Sequence, residues 1–141
     1  MLVDLDLIGT TAVPGLLPPR QARSRKVVAE LVEAALRLLR TRDFASISVV
    51  EICAEAGVTS GAFYKRFPSK ELFVEFLQRV VVDDLRRNVD ATLTAERWGA
   101  LPLRVFLRKS VGGTVRWFRQ YEGFVRASLR LAQMRPASRS S

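Results

Sequence analysis

The sequence predicts an all-α chain: a three-helix helix-turn-helix domain followed by a partial helical domain. Three observations carry this. Apolar residues recur at spacings of three and four from about residue 25 to residue 134, with no convincing strand. The stretch 48–70, SVVEICAEAGVTSGAFYKRFPSK, reads as two short helices joined by a tight glycine turn, then the start of a third. Apolar residues make up 48% of the 141, enough for a packed core, and 26% are charged, as in a soluble protein. Four segments follow: a disordered arm over 1–22, the helix-turn-helix domain over 23–70, an incomplete helical region over 71–134 and a disordered tail over 135–141.

In the arm, Pro14, Gly15, Pro18 and Pro19 break any regular element. Arg20, Arg23, Arg25 and Lys26 then form a basic cluster, either a solvated lead-in or an arm for a minor groove. The first helix is expected from Arg25 to Arg42, with Val27, Leu31, Ala34, Ala35 and Leu38 on one face. Phe44 and Ile47 plug the loop after it.

The second helix opens at Ser48, which fits a capping box with Glu51. Val49, Ile52, Cys53 and Ala56 face inward, and Gly57 ends the helix because glycine takes a left-handed cap cheaply. Thr59 caps a short third helix through about Phe67, anchored by Phe63 and Phe67. Pro68 blocks continuation and Ser69 caps a fourth helix that runs to about Leu93. Asp83 and Asp84 fall in its apolar sector, so either the helix leaves its core there or it lines a polar cavity. Trp98, Gly99 and Pro102 mark a break. A fifth helix is expected over Leu103–Phe118, interrupted by Gly112 and Gly113, and a last one over Glu122–Met134.

Composition excludes several function classes. There is no histidine and only one cysteine, so His-based metal sites, His-dependent triads and an internal disulfide are ruled out. Cys53 reads as a small buried hydrophobe. Paired acids and a glycine-rich phosphate loop in a plausible context are missing, so no enzyme, cofactor or metal is expected. No apolar run approaches the roughly 20 residues that span a bilayer, and Asp4 and Asp6 spoil a secretory signal. A cytoplasmic location without a membrane partner follows by default. Net charge is +9, which suits a nucleic-acid or anionic-surface partner. Ten Arg or Lys and a single acid, Glu122, lie in residues 97–141, so most of the excess sits outside the helix-turn-helix.

A helix-turn-helix works when its second helix stands proud while the first braces it. Val49, Ile52, Cys53, Val58 and Phe63 supply the brace. Thr59, Ser60, Gly61, Ala62, Tyr64, Lys65 and Arg66 form the small, polar and basic face that duplex DNA requires. Arg66 suits a bidentate contact to guanine, while Tyr64 and Lys65 suit phosphate or a base edge. The helix N-termini at Ser48 and Ser69 offer N–H groups to phosphate, and Lys70 adds a point charge.

The run AEAGVTSGAFYKRFPSKELF resembles the signature of the TetR family of bacterial transcriptional regulators, with Ala56, Gly57, Val58, Gly61, Tyr64, Phe67, Lys70 and Leu72 matching position by position. The likeness covers roughly residues 25–80. It implies that Ser48, Ser60, Gly61, Tyr64, Arg66 and Lys70 meet DNA, with Tyr64 and Lys70 on phosphate and Ser60, Gly61 and Arg66 near base edges. Val50 departs from relatives that carry a base-contacting basic residue there. The resemblance further implies a repressor that acts as a homodimer on a palindromic operator and is released by a small-molecule inducer. An apolar pocket is then expected from Phe76, Leu77, Phe106 and Phe118, with Trp98 or Trp117 nearby.

The family usually continues with more helices than this chain has. Three readings stand: a truncated product, dimerisation through Leu103–Met134, or a reduced variant without a pocket. The alternative function is a non-inducible or non-dimerising helical protein that acts as an interaction module. A membrane-surface role for the arginine-faced last helices is a third.

Overall fold

The computed structural model describes residues 3–93 and 102–134 of the 141. Six α-helices and one short 3-10 turn make up the described residues, without a strand. They are α1 (Leu5–Thr10), α2 (Ala22–Leu38), the 3-10 turn (Phe44–Ser46), α3 (Val49–Ala56), α4 (Ser60–Tyr64), α5 (Lys70–Leu93) and α6 (Leu103–Met134).

The N-terminal segment corrects the sequence reading, which made 1–22 a disordered arm. Asp4 caps α1 by accepting from the Asp6 N–H at 2.9 Å. Val3, Leu7, Ile8, Thr11 and Val13 are buried. The breakers act locally: Gly15 takes φ 85° in the turn that closes on Val13, and the proline-rich stretch returns the chain to α2. The segment is pinned from both sides. Arg87 of α5 reaches Asp4 at 3.2 Å and the Thr10 hydroxyl at 3.3 Å, and the Val3 N–H donates to Glu33 of α2 at 3.3 Å.

α2 begins three residues earlier than expected and stops at Leu38, after which Arg40, Thr41 and Arg42 turn back on Arg37 and Leu38. Leu31, Ala34 and Ala35 of the expected stripe are buried, but Val27 and Leu38 are only half-buried, and Val28 and Val32 shift the buried face to their side of the helix. α3 has its capping box: the Ser48 hydroxyl accepts from the Glu51 N–H at 3.2 Å, and the Glu51 carboxylate accepts from the Ser48 N–H at 2.8 Å. Gly57 ends α3 at φ 69°, and the Val58 N–H closes on the Cys53 carbonyl at 3.0 Å.

α4 is shorter than expected, ending at Tyr64 rather than about Phe67. Pro68 disfavours the helical conformation at Phe67, so 65–67 finish as a turn on Gly61 and Phe63. Ser69 caps α5 through the Leu72 N–H at 3.2 Å. The corner between α4 and α5 is an aromatic cluster: Phe73 lies 5.3 Å from Phe63 and 5.0 Å from Phe67, in edge-on contacts.

α6 is a further correction. Two helices were expected, broken near residues 119–121; one helix of 32 residues is found. No proline falls inside it, and the open space around Gly112 and Gly113 imposes no kink. α5 leaves the core near Asp83 and Asp84, one of the two expected alternatives: Val81 is its last buried residue, both acids are half-buried, and residues 86–91 are exposed, while Asp84 keeps one contact across the helices. It accepts from the Tyr121 hydroxyl of α6 at 3.0 Å, in the contact between α5 and α6. Burial, and then the nearby Asp84 charge, push the Tyr121 phenol far above its usual range.

α6 also lies against the end of α2. Arg126 donates to the carbonyls of Leu39 at 3.3 Å and Arg40 at 2.7 Å, Arg130 pairs with Asp43 at 2.6 Å, and Phe124 meets Phe44 edge-on at 6.1 Å. Gly123 lets the backbones meet: a Cβ there would stand 2.3 Å from the Leu39 carbonyl oxygen.

Candidate DNA-binding site

α3 and α4 hold the site. Ile52, Cys53 and Phe63 are buried under it, and burial pushes the Cys53 thiol pKa upward, as suits an inert packing residue. Above them Ser60, Gly61, Tyr64 and Lys65 are exposed, and Ala62 is half-buried. Tyr64 stacks edge-on with Phe63 at 5.2 Å and still leaves 54% of its surface open.

Gly61 is informative because the fold does not need it. A Cβ there would meet only the Thr59 hydroxyl, at 3.8 Å. An exposed helical glycine without a packing reason costs about 1 kcal/mol against alanine.

Ser48 and Thr59 are exposed, but their hydroxyls already cap helices, Thr59 through the Ala62 N–H at 3.1 Å. They hold α3 and α4 in place and leave backbone N–H groups at two helix starts. Lys70 donates to the Phe44 carbonyl at 2.5 Å. Its ammonium has three donors, so that bond leaves others for an anion.

Arg66 is not on the exposed face with Ser60 and Tyr64. It is half-buried past the end of α4, and its guanidinium donates to the Ser24 hydroxyl of α2. Reaching a guanine requires leaving Ser24. Within the basic cluster, Arg25 is also committed, to the carbonyls of Pro19 at 3.1 Å and Arg20 at 3.2 Å, whereas Arg20, Arg23 and Lys26 are exposed.

Two anchors escaped the sequence reading. Ser24 is buried at 7% exposure, four positions before Val28 on the same face of α2, so the helical period carried that signal. The Phe44 carbonyl carries no sequence signal, because a backbone acceptor belongs to any residue.

The expected small-molecule pocket does not assemble as predicted. Phe76 and Leu77 are core residues at 3% and 0% exposure. Phe106 and Trp117 are half-buried, Phe118 is exposed, and Trp98 lies outside the described residues. The core takes up Phe76 and Leu77, and Phe118 touches Trp117 edge-on at 5.4 Å yet stays exposed, so these side chains do not enclose a cavity. A groove of about 570 Å³ opens elsewhere, lined by Phe44, Lys70, Glu71, Val74, Glu75 and Leu131. Among the described residues no group of His, Cys, Asp and Glu is arranged to hold a metal, and no helix is long and apolar enough to cross a membrane.

With this geometry in view, comparison is decisive for one segment. Residues 31–75 match the family model of bacterial regulatory proteins, tetR family. Over 99 residues the chain is 26% identical to the HTH-type transcriptional regulator YerO of Bacillus subtilis (strain 168), covering 67% of this chain and 32% of that one. Over 78 residues it is 37% identical to the HTH-type transcriptional regulator EthR of Mycolicibacterium smegmatis, covering 52% of this chain and 34% of that one. Each match thus spans about a third of the relative's length. The matched segment runs from the middle of α2 to the first turns of α5; it includes Ser48, Thr59, Ser60, Gly61, Ala62, Tyr64, Lys65, Arg66 and Lys70, and the basic cluster at 20–26 precedes it.

Proposed function

We propose that the protein is a sequence-specific DNA-binding transcriptional regulator of the repressor type, working as a homodimer on a palindromic operator and released by a small-molecule ligand. The observation that carries this is Gly61, exposed on α4, unneeded by the fold and flanked by Ser60 and Tyr64. Small residues at the start of an exposed, braced helix let its backbone approach base edges.

The roles divide by chemistry. Ser60, Gly61 and Ala62 approach the bases; Tyr64, Lys65 and Lys70 hold phosphates; Ser48 and Thr59 present helix N-termini to the backbone of the duplex. Arg66 reads a base only after exchanging Ser24 for it. On the ligand side, the groove beside Lys70 supports a small-molecule site.

Fluorescence anisotropy with the promoter fragment next to the protein's own gene tests the reading. Tyr64→Ala and Lys70→Ala should weaken binding to every duplex, Lys70→Ala also lowering the salt slope by about 1, whereas Arg66→Ala should relax choice of sequence. Promoter binding left unchanged by all three substitutions would refute the assignment.

A further inference from the structure

We propose that residues 103–119 of α6 form a docking surface for anionic lipid headgroups, lying along a membrane surface without crossing it.

The two halves of α6 differ. In the second half Tyr121, Gly123, Phe124 and Ala127 are buried, and contacts run to α5, to the end of α2 and to the 3-10 turn. From 103 to 119 no residue is buried. That first half is nevertheless rich in apolar side chains. Leu103, Leu107, Val111, Val115 and Phe118 keep between 44% and 67% of their surface. At 100° per residue they share an arc of about 120°, in a strip about 22 Å long. A contiguous apolar strip in water marks a contact surface, unlike single exposed residues.

The next arc of the same helix is basic. Arg104, Arg108, Lys109, Arg116 and Arg119 occupy about 140° beside the strip, and all five are exposed. The other edge of the strip is turned toward the chain itself, where Phe106 and Trp117 are half-buried. No acid falls between Glu96 and Glu122 in the sequence. Among the described residues none of the five cations has an ion pair or a hydrogen bond. Elsewhere Arg25, Arg37, Arg42, Arg87 and Arg130 each pair with a carboxylate. Asp84, the α5 acid that reaches α6, accepts from the Tyr121 hydroxyl instead. The first half of α6 therefore presents positive charge with no counter-charge of its own.

A bilayer surface satisfies both arcs at once. The boundary of the acyl chains takes the Leu, Val and Phe strip, while headgroup phosphates meet the arginines and the lysine. Duplex nucleic acid would use the cations and leave the strip in water. A second copy would bring five more cations toward the first five, with no acid in 103–119 to separate them. The expectation of no membrane partner rested on the want of a spanning segment, and no described helix is long and apolar enough to cross a membrane. A helix that lies in the interface needs no such length, only an apolar face beside a basic one. The surface shares no residue with the candidate DNA-binding site. Phe124, Arg126 and Arg130, which hold the end of α2 and the loop before α3, all lie beyond it.

Flotation of the full chain with vesicles tests the proposal. At low salt the protein should rise with vesicles of phosphatidylglycerol and phosphatidylcholine in equal parts and stay down with phosphatidylcholine alone. Binding should weaken as salt screens the headgroups. A cation close to an anionic surface changes affinity about fivefold, so Arg104→Gln with Arg108→Gln should weaken vesicle binding about 25-fold. Arg40→Gln with Arg79→Gln removes the same charge from exposed positions elsewhere and should change binding far less. Equal losses from the two pairs would show that net charge alone draws the vesicle, and would overturn the proposal. Leu107→Gln with Val111→Gln keeps every cation and should still weaken vesicle binding by on the order of tenfold, because the apolar strip is broken. Vesicle binding untouched by that pair, the pattern of a polyanion site for nucleic acid, would overturn it too. So would a wild type that floats with neither vesicle, whether it is monomeric or covers the strip with a second copy.

Discussion

Arg126 of α6 donates to the Arg40 carbonyl at 2.7 Å, so the longest helix closes the open end of α2 just before the loop that leads into α3. A cation placed on terminal carbonyls is favoured by the helix dipole. Gly123 makes the approach possible, since a Cβ there would stand 2.7 Å from the Arg40 Cα and 2.3 Å from the Leu39 oxygen. Both are backbone atoms and cannot swing aside. Gly123→Ala should therefore cost about 1–3 kcal/mol through forced separation of α6 from α2. Gly112→Ala, with open space around it, should stabilise by up to about 1 kcal/mol. Thermal melts of the two variants should move in opposite directions.

Two glycines of the helix-turn-helix separate fold from function. Gly57 sits at φ 69°, where a Cβ costs about 1–2 kcal/mol. Gly61 is helical and has room for a methyl group. Gly57→Ala should lower the melting temperature. Gly61→Ala should raise or hold it and yet weaken operator binding. Unchanged affinity in Gly61→Ala would mean that α4 does not come close to its target.

The loop before α3 depends on pH through Glu51. Its carboxylate accepts from Arg42 at 2.6 Å and from the Ser48 N–H at 2.8 Å, and these bonds, Arg42 foremost, lower its pKa from 4.5 to about 2. A carboxyl with a depressed native pKa stabilises the fold above its unfolded pKa and loses that contribution as pH falls through the native one. The window is therefore about 4.5 down to about 2. Wild type should exceed Glu51→Gln in stability at neutral pH, and the gap should close across that window. Denaturant melts at several pH values give the measurement; a gap independent of pH would show that the charge contributes nothing.

The reading of the sequence succeeded where signals were local and failed where they were distant. The Ser48–Glu51 box, the Gly57 cap and the Ser69 cap each lie within a few residues, and each is found in place. Pro68 shortened α4 for a reason already visible in the sequence. α1 was missed because six residues give too little period to stand out, and what holds it, the core around Ile8 with ties to Arg87 and Glu33, comes from far along the chain. In the site, Ser60, Gly61 and Tyr64 were legible as an exposed face. The tie of Arg66 to Ser24 spans 42 residues and no local pattern announces it.

That missed segment supplies the last prediction. Ile8 is fully buried and Leu7 nearly so, at 0% and 2% exposure, in the core shared with α2 and α5. Removing a buried isoleucine or leucine side chain down to alanine costs about 2–5 kcal/mol through lost transfer energy and the cavity left behind. Ile8→Ala should therefore destabilise the protein by that amount, while Leu17→Ala, at a position 92% exposed, should stay within about 0.5 kcal/mol of wild type. Arg87 ties Asp4 and Thr10 to α5, so Ile8→Ala should also speed amide exchange at the residues of α5 that face α1. A solvated arm gives another result: both substitutions silent, and α5 exchange unchanged. Chemical denaturation with hydrogen exchange on the two variants decides between a strap that belongs to the core and an arm that merely precedes it.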